Sequence, residues 1–355
     1  MRSSLPRPGG GIGRHAGFRI QWPRGRAGSS PAPGTINSIP FAVEPLICWH
    51  KVEAMKKLNY LRLSFLAATC LYFFTGCPGK KKDPEAPQER DGPSVEKTQD
   101  ILPEGEPYTV PELGMQMTWI PAGNFLMGSP PSEPGHRLEE EDLHNVVISR
   151  GFWIGTYEVT QKEFTSILDS ENPSTFKGPQ LPVHKVSWQT AMEFCKALTE
   201  REKFAGRMPE HWHFILPTEA QWEYACRAGT TNVFHFGNDE EALEDYAWFS
   251  ANSKTGEAGT SRPRNVGEKK PNQWGIHDMH GNMGEWCYDW YGKVYSPDGS
   301  VDPITEKASD FKVFRGGTYT DISERCRAAH RNRVSPDTEN PWIGFRLALM
   351  RKYFE

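Results

Sequence analysis

The chain has 355 residues, a net charge of −4, 37% hydrophobic residues and 12% aromatics, which suits one large domain with an appended tail. Its 33 glycines and 29 prolines assign much of it to loops, and the lack of a basic stripe interleaved with aromatics excludes nucleic acid as a partner. Seven cysteines leave the redox compartment open until their positions are read.

Residues 1–54 are rich in Gly, Pro, Arg and Ser and carry neither a helical nor a strand period, so they have no face to bury. They read as disordered, or as an upstream extension that is not naturally translated. At Met55 the character changes. Lys56, Lys57 and Arg62 precede an apolar run from Leu63 to Phe74, the form of a secretory signal and too short for a permanent membrane span. Thr75 and Gly76 before Cys77 resemble a lipobox, so residues 55–77 are expected to be a lipoprotein signal with Cys77 as the acylated mature N-terminus. Stable anchoring then takes more than one acyl chain. Residues 78–110 are dominated by Lys, Asp, Glu, Pro and Gln and read as an extended linker, with the folded domain in 111–355.

Within that domain, MTWIPAGNFLMGS (117–129) predicts two short strands around a turn at Pro121 to Asn124, followed by an acidic loop from Pro130 to Asp142 and a strand at Val146 to Ile148. FWIGTYEVTQKEF (152–164) runs from strand into helix, with Thr160 and Glu163 as a capping box. Ser187 can cap a second helix with Ala191, Phe194, Cys195 and Leu198 on one face. Thr218 and Gln221 form the box of a third, which Gly229 stops. The stretch 252–270 reads as a polar surface loop, 296–310 as a polar insert, and Trp342 to Leu349 as a buried closing strand.

Between the loop and the insert lies PNQWGIHDMHGNMGEWCYDW (271–290), with three Trp and three Gly and no regular period. It predicts an ordered loop folded back on itself, since indole rings bury large areas while their N–H groups seek partners. Asn282 and Glu285 could offer oxygens to a hard cation such as calcium, or could simply cap a turn and a short helix. His277, Asp278 and His280 have a metal-like spacing, but without a further ligand the signal is weak. Arg315, Arg327, Arg331, Arg333 and Arg346 gather toward the C-terminus, either to pair with buried acids or to grasp an anion, ion pairing being the simpler reading.

The 271–290 segment resembles the signature of the formylglycine-generating enzyme family, the sulfatase-modifying-factor domain. The segments at 117–129, 182–188, 216–230, 313–331 and 342–349 fit the same family, so the resemblance spans about Met117 to Met350. It implies an α+β fold: an irregular, loop-rich variant of the C-type-lectin fold with few helices on small antiparallel sheets. It also points to Asn252 as a further calcium-site asparagine.

In the oxidases of this family two cysteines hold copper(I), a soft ion that prefers paired thiolates. Counting from Arg315, Asp321 stands where the first is expected and Cys326 where the second is. The resemblance therefore implies a module without the copper pair, unless a second thiol reaches Cys326. In an alternative alignment Cys326 is a structural cysteine whose partner is Cys226; such a bridge contributes roughly 2–4 kcal/mol. Cys195 then lacks its partner, Leu347 occupying that position, and Cys287 has no assigned role. The expected role is that of a lipid-anchored envelope protein binding a protein, peptide or glycan, with calcium holding loops and copper not required. The alternative is a divergent oxidase that converts a cysteine of exported sulfatases to formylglycine.

Overall fold

The computed structural model describes residues 102–137, 142–256, 259–292 and 298–351; the expected signal segment and Cys77 lie outside them. The N-terminal strand β1 (Tyr108–Thr109) pairs antiparallel with β2 (Gln116–Ile120). Leu102 and Val110 are buried in the main core, and the Trp153 indole donates to the Glu106 carbonyl at 2.8 Å. The packed domain thus begins by Leu102, not at 111 as the composition suggested. Leu102, Tyr108 and Val110, together with the β1–β2 ladder and the Trp153 bond, pin a segment that otherwise reads as linker.

Strands β2 and β3 (Gly123–Met127) fall where expected, but they do not form a hairpin. β3 pairs with β4 (His144–Ile148), and β2 pairs with β5 (Phe152–Gly155). The turn at Pro121 passes the chain between two sheets. All four residues of β5 are buried, as a strand covered on both faces requires.

Helix α1 (Gln161–Ile167) starts at the Thr160–Glu163 capping box, both arms of which are present. Helix α2 (Trp188–Phe204) is capped by Ser187, whose hydroxyl accepts from the Thr190 N–H, and buries Ala191, Phe194, Cys195 and Leu198. It packs on β6 (Trp212–Ile215), an edge strand whose Phe214 N–H is taken by the Thr199 hydroxyl at 2.9 Å. Helix α3 (Glu219–Arg227) follows the Thr218–Gln221 box and is buried along its whole length. It ends in a left-handed Ala228, φ 47°, ahead of Gly229, so the stop lies one residue earlier than the glycine. A short helix α4 (Leu243–Tyr246) completes the set among the described residues.

The polar loop at 252–270 contains a small hairpin, β7 (Lys254–Thr255) with β8 (Thr260–Ser261). The signature segment is only half loop. Its second part is β9 (Gly284–Trp290), a central strand whose residues 284–287 are buried on both faces; that is why no alternation is visible in the sequence. In the polar insert, β10 (Ser300–Val301) pairs parallel with β4. β11 (Lys312–Arg315) joins β9 to β12 (Asn332–Val334). The predicted closing strand is two strands, β13 (Ile343–Gly344) beside β9 and β14 (Ala348–Arg351) between β5 and β6. The chain changes sheets at residues 345–347.

Among the described residues three curled sheets result, ordered β1-β2-β5-β14-β6, β10-β4-β3 and β12-β11-β9-β13, with the β7-β8 ribbon apart. Helix α3 packs against β3, β9 and β11, so it joins two of these sheets. Trp222 on it is fully buried, a side chain whose burial contributes upward of about 2 kcal/mol. The α+β, loop-rich architecture is the one expected.

Candidate functional site

The loop half of the signature segment is fixed at each end by side chains that complete their own hydrogen bonds. Asn272 donates to the Ala225 carbonyl at the end of α3 and accepts from the Trp274 and Ile276 N–H groups. At Gly281 a Cβ would lie 2.4 Å from the Trp248 carbonyl, so only glycine allows this approach. Asn282, at φ 61°, accepts from the Arg264 N–H and donates to Glu158 at 2.7 Å.

Glu285 is buried on β9 and grips Arg346 through two bonds of 2.6 Å, while its Oε2 also accepts from the Trp222 indole at 2.6 Å. Arg346 gives two further donors to the Gly155 and His277 carbonyls. These oxygens are a poor fit for a calcium ion: the Glu285 carboxylate is neutralised by a guanidinium and accepts three bonds, and the Asn282 oxygen already accepts a backbone donor. Asn252 is likewise used locally, capping the Phe249 N–H and donating to the Ala247 carbonyl.

Two further buried carboxyls border this pair. Glu158 accepts from the Met283 N–H and from Asn282, and burial followed by the Asp278 charge holds its pKa well above the usual carboxylate range. Asp278, left-handed at φ 60°, accepts from the Gly267 N–H with Oδ2, while Oδ1 has no partner; burial raises its pKa to about 6. Asn282, Asp278 and His277, whose Nδ1 bonds the Lys269 carbonyl, all hold the 264–269 loop. His280 bonds the Cys326 carbonyl through Nδ1 and accepts the His235 N–H at Nε2. The HDMH run is thus a set of backbone clamps. Glu158 was not singled out from sequence; the available signal was an acid set between apolar Ile154 and Val159 at the end of a strand.

The positions matching the family's oxidase cysteines lie after β11. Asp321 accepts from the Thr318 hydroxyl at 2.9 Å and pairs with Arg325 at 3.2 Å. Cys326 ends a 3-10 turn (Ser323–Cys326) and packs with Phe234, Leu243, Ala247 and Phe249. Its thiol is fully buried and its pKa is pushed well up, first by burial and then by the Asp321 charge. Cys195 belongs to the main core, and Cys226 and Cys287 to the second. All four thiols are free, so the expected Cys226–Cys326 bridge is not formed. The physical reason is local: the Cys226 thiol donates to the Met279 carbonyl and touches the His280 ring, which itself holds the Cys326 backbone. A buried thiol and a carboxylate are a poor donor set for copper(I).

The C-terminal arginines pair inside the fold. Arg331 forks onto Glu219 at 2.6 Å, Arg327 meets Glu133 at 2.6 Å, and Glu223 is shared by Arg315 and Arg227. Arg333 lies over the Tyr291 ring at 4.4 Å. Lys312 was also not foreseen. Its ammonium sits 3.9 Å from the Trp188 ring and 4.1 Å from that of Trp290, and burial lowers its pKa to about 8.

A family model described as "Sulfatase-modifying factor enzyme 1-like domain" matches residues 104–351. Among curated proteins, the chaperone protein LppX of Paenibacillus barcinonensis is 32% identical over 239 residues, covering 57% of this chain and 81% of that protein. The formylglycine-generating enzyme of Bos taurus is 27% identical over 296 residues, covering 66% and 74%. Among solved structures, Treponema denticola variable protein 1 superposes with a TM-score of 0.59 at 29% identity, covering 68% of this chain and 97% of that one. With its fold, its signature segment and this match in agreement, the chain belongs to the sulfatase-modifying factor enzyme 1-like domain family.

Proposed function

We propose that the protein is a binding or assembly module of the bacterial cell envelope, acylated at Cys77 on the outer membrane or the periplasmic face of the inner membrane. It engages a protein, peptide or glycan there and does not generate formylglycine. The observation that carries this reading is the Asp321 and Cys326 pair: a carboxylate beside a fully buried, proton-retaining thiol supplies neither the second soft donor nor an open approach for a substrate cysteine. The likeness to a protein named a chaperone supports it.

The likeness to formylglycine-generating enzymes favours the second reading, a divergent oxidase. Copper(I) titration of the full-length protein, with aldehyde detection on a cysteine-containing sulfatase peptide, separates the two. No stoichiometric copper binding and no aldehyde is the expected result. Tight binding with aldehyde product overturns the proposal.

A further inference from the structure

Two N–H donors near the signature segment have no acceptor: the Trp248 indole Nε1 and the Arg264 guanidinium Nε. Both atoms are shielded from solvent, so water does not replace the missing partner. They belong to one cluster. The Arg264 guanidinium lies 4.7 Å from the Trp248 ring centroid, and the Lys269 ammonium 4.0 Å from the same centroid. Two cations therefore share one indole.

Neither Arg264 nor Lys269 has a carboxylate within ion-pair distance among the described residues. The Lys269 ammonium reaches only the Glu244 carbonyl, and Arg264 Nη2 only the Ser253 carbonyl at 3.5 Å, the weak limit of a hydrogen bond. This contrasts with Arg346, Arg331 and Arg327, each of which meets a glutamate at 2.6 Å. Burial is the largest cause lowering the pKa of Lys269, and Arg264 adds to it; Asp245, Glu244 and Glu268 oppose the shift from nearby, but none of them closes an ion pair with the ammonium.

The backbone around the cluster is held firmly. Asn282 bonds both the N–H and the carbonyl of Arg264, and His277 holds the Lys269 carbonyl. The side chains of Trp248, Arg264 and Lys269 are only half-buried, so their outer edges face solvent. An arrangement with a fixed scaffold, two cations without a direct ion-pair partner and two idle donors lacks one thing, an acceptor carrying negative charge at contact distance.

We infer that Trp248, Arg264 and Lys269 form a binding site for an oxyanion group, a carboxylate, sulfate or phosphate carried by the ligand. The anion takes Nε and Nη2 of Arg264 in a bidentate fork, with Nη2 leaving its long bond to Ser253. Lys269 supplies the second charge and Trp248 Nε1 the third donor, after a rotamer shift opens the space between the two cations. The inference goes beyond the proposed function and holds whether or not the domain has oxidase activity.

The test is calorimetric titration of the full-length protein with sulfate, phosphate and a blocked Asp-Glu peptide, in chloride buffer at constant ionic strength. Saturable binding of at least one probe is expected, and the tightest arm distinguishes an acidic peptide from a sulfated or phosphorylated source. Arg264→Gln is expected to weaken it about tenfold or more, the loss of a charge-assisted bond, and Arg264→Lys to restore only part. Lys269→Gln is expected to weaken it several-fold, so that sulfate or phosphate raises the unfolding midpoint of the wild type more than that of the variant. A purely structural lysine would leave that ligand-induced shift the same in both. Failure of every probe to saturate, or equal binding by Arg264→Gln and Lys269→Gln, overturns the assignment.

Discussion

Replacing Glu285 by Gln tests the claim that this residue is an ion-pair partner and not a cation ligand. The carboxylate is fully buried and makes two bonds of 2.6 Å to an equally buried Arg346, together with one from the Trp222 indole. Glutamine keeps the shape and one acceptor but leaves the guanidinium charged and uncompensated, a change that costs about 3–5 kcal/mol in comparable buried pairs. For a domain of this size that corresponds to a fall of roughly 6–20 °C in the unfolding midpoint. Removing both charges in Glu285→Gln with Arg346→Met recovers part of the loss. Full recovery is not expected, because Arg346 also satisfies the Gly155 and His277 carbonyls, each costing about 1–3 kcal/mol when orphaned. Thermal and urea unfolding of the three proteins, each with and without a calcium chelator, gives the answer. The chelator is expected to leave the wild type unchanged. A loss below about 1 kcal/mol in Glu285→Gln, or a chelator effect present in the wild type and absent from the variant, refutes the ion-pair argument.

Other consequences are open to direct measurement. Asp278 binds its proton more tightly folded than unfolded, so the stability it contributes is present below about pH 4 and is lost as pH rises through about 6. Asp278→Asn is therefore expected to be more stable than wild type by roughly 1–3 kcal/mol at pH 7.5 and near-neutral at pH 4, by urea midpoints at both values. His235, lowered to about 4 by burial, acts with the opposite sign: its contribution is lost as pH falls from 6.5 toward 4, and His235→Phe is expected to flatten acid unfolding there. Gly344→Ala places a Cβ 2.3 Å from the Val183 carbonyl and is expected to lower the soluble yield or the melting midpoint sharply, whereas alanine at the solvent-facing Gly206 costs less. With all four domain cysteines free and buried, a thiol reagent is expected to modify none of Cys195, Cys226, Cys287 and Cys326 in the native protein and all four after denaturation without reductant. Peptide mapping reads the result, and a Cys226–Cys326 crosslink in the unreduced digest would contradict the structure.

The sequence was most informative where chemistry is local. The capping boxes at Thr160 and Thr218 and the Ser187 cap depend on residues three positions apart, and each is present. Strand pairing was less legible, because it is decided by partners far along the chain. β2 and β3 look like a hairpin until β4 and β5 are seen to take one each, and the run from Trp342 to Leu349 looks like one strand although its two ends serve different sheets. β9 was hidden for a related reason: burial on both faces removes the alternation by which a strand is recognised, leaving its aromatics to suggest a loop.

The candidate sites follow the same division. Asn282, Glu285 and Asp278 were conspicuous as polar residues in an apolar segment, and they are buried, but which atoms they bond is fixed by Arg346, Arg264 and Gly267, at other places in the chain. A carboxylate in a signature therefore suggested a cation ligand when its partner was an arginine some sixty positions away. The Trp248, Arg264 and Lys269 cluster shows the converse. No spacing rule joins a tryptophan to two cations on a later loop. What brings them together is Gly281, whose missing side chain lets the Trp248 backbone approach, and Asn282, which bonds the Trp248 carbonyl through its N–H and Arg264 through its side chain. The signature segment thus acts mainly as a clamp, and the cationic surface is what it holds in place. It follows that Asn282→Ala is expected to weaken anion binding as much as Arg264→Gln does, without touching the anion itself, whereas a cluster independent of the clamp would bind unchanged.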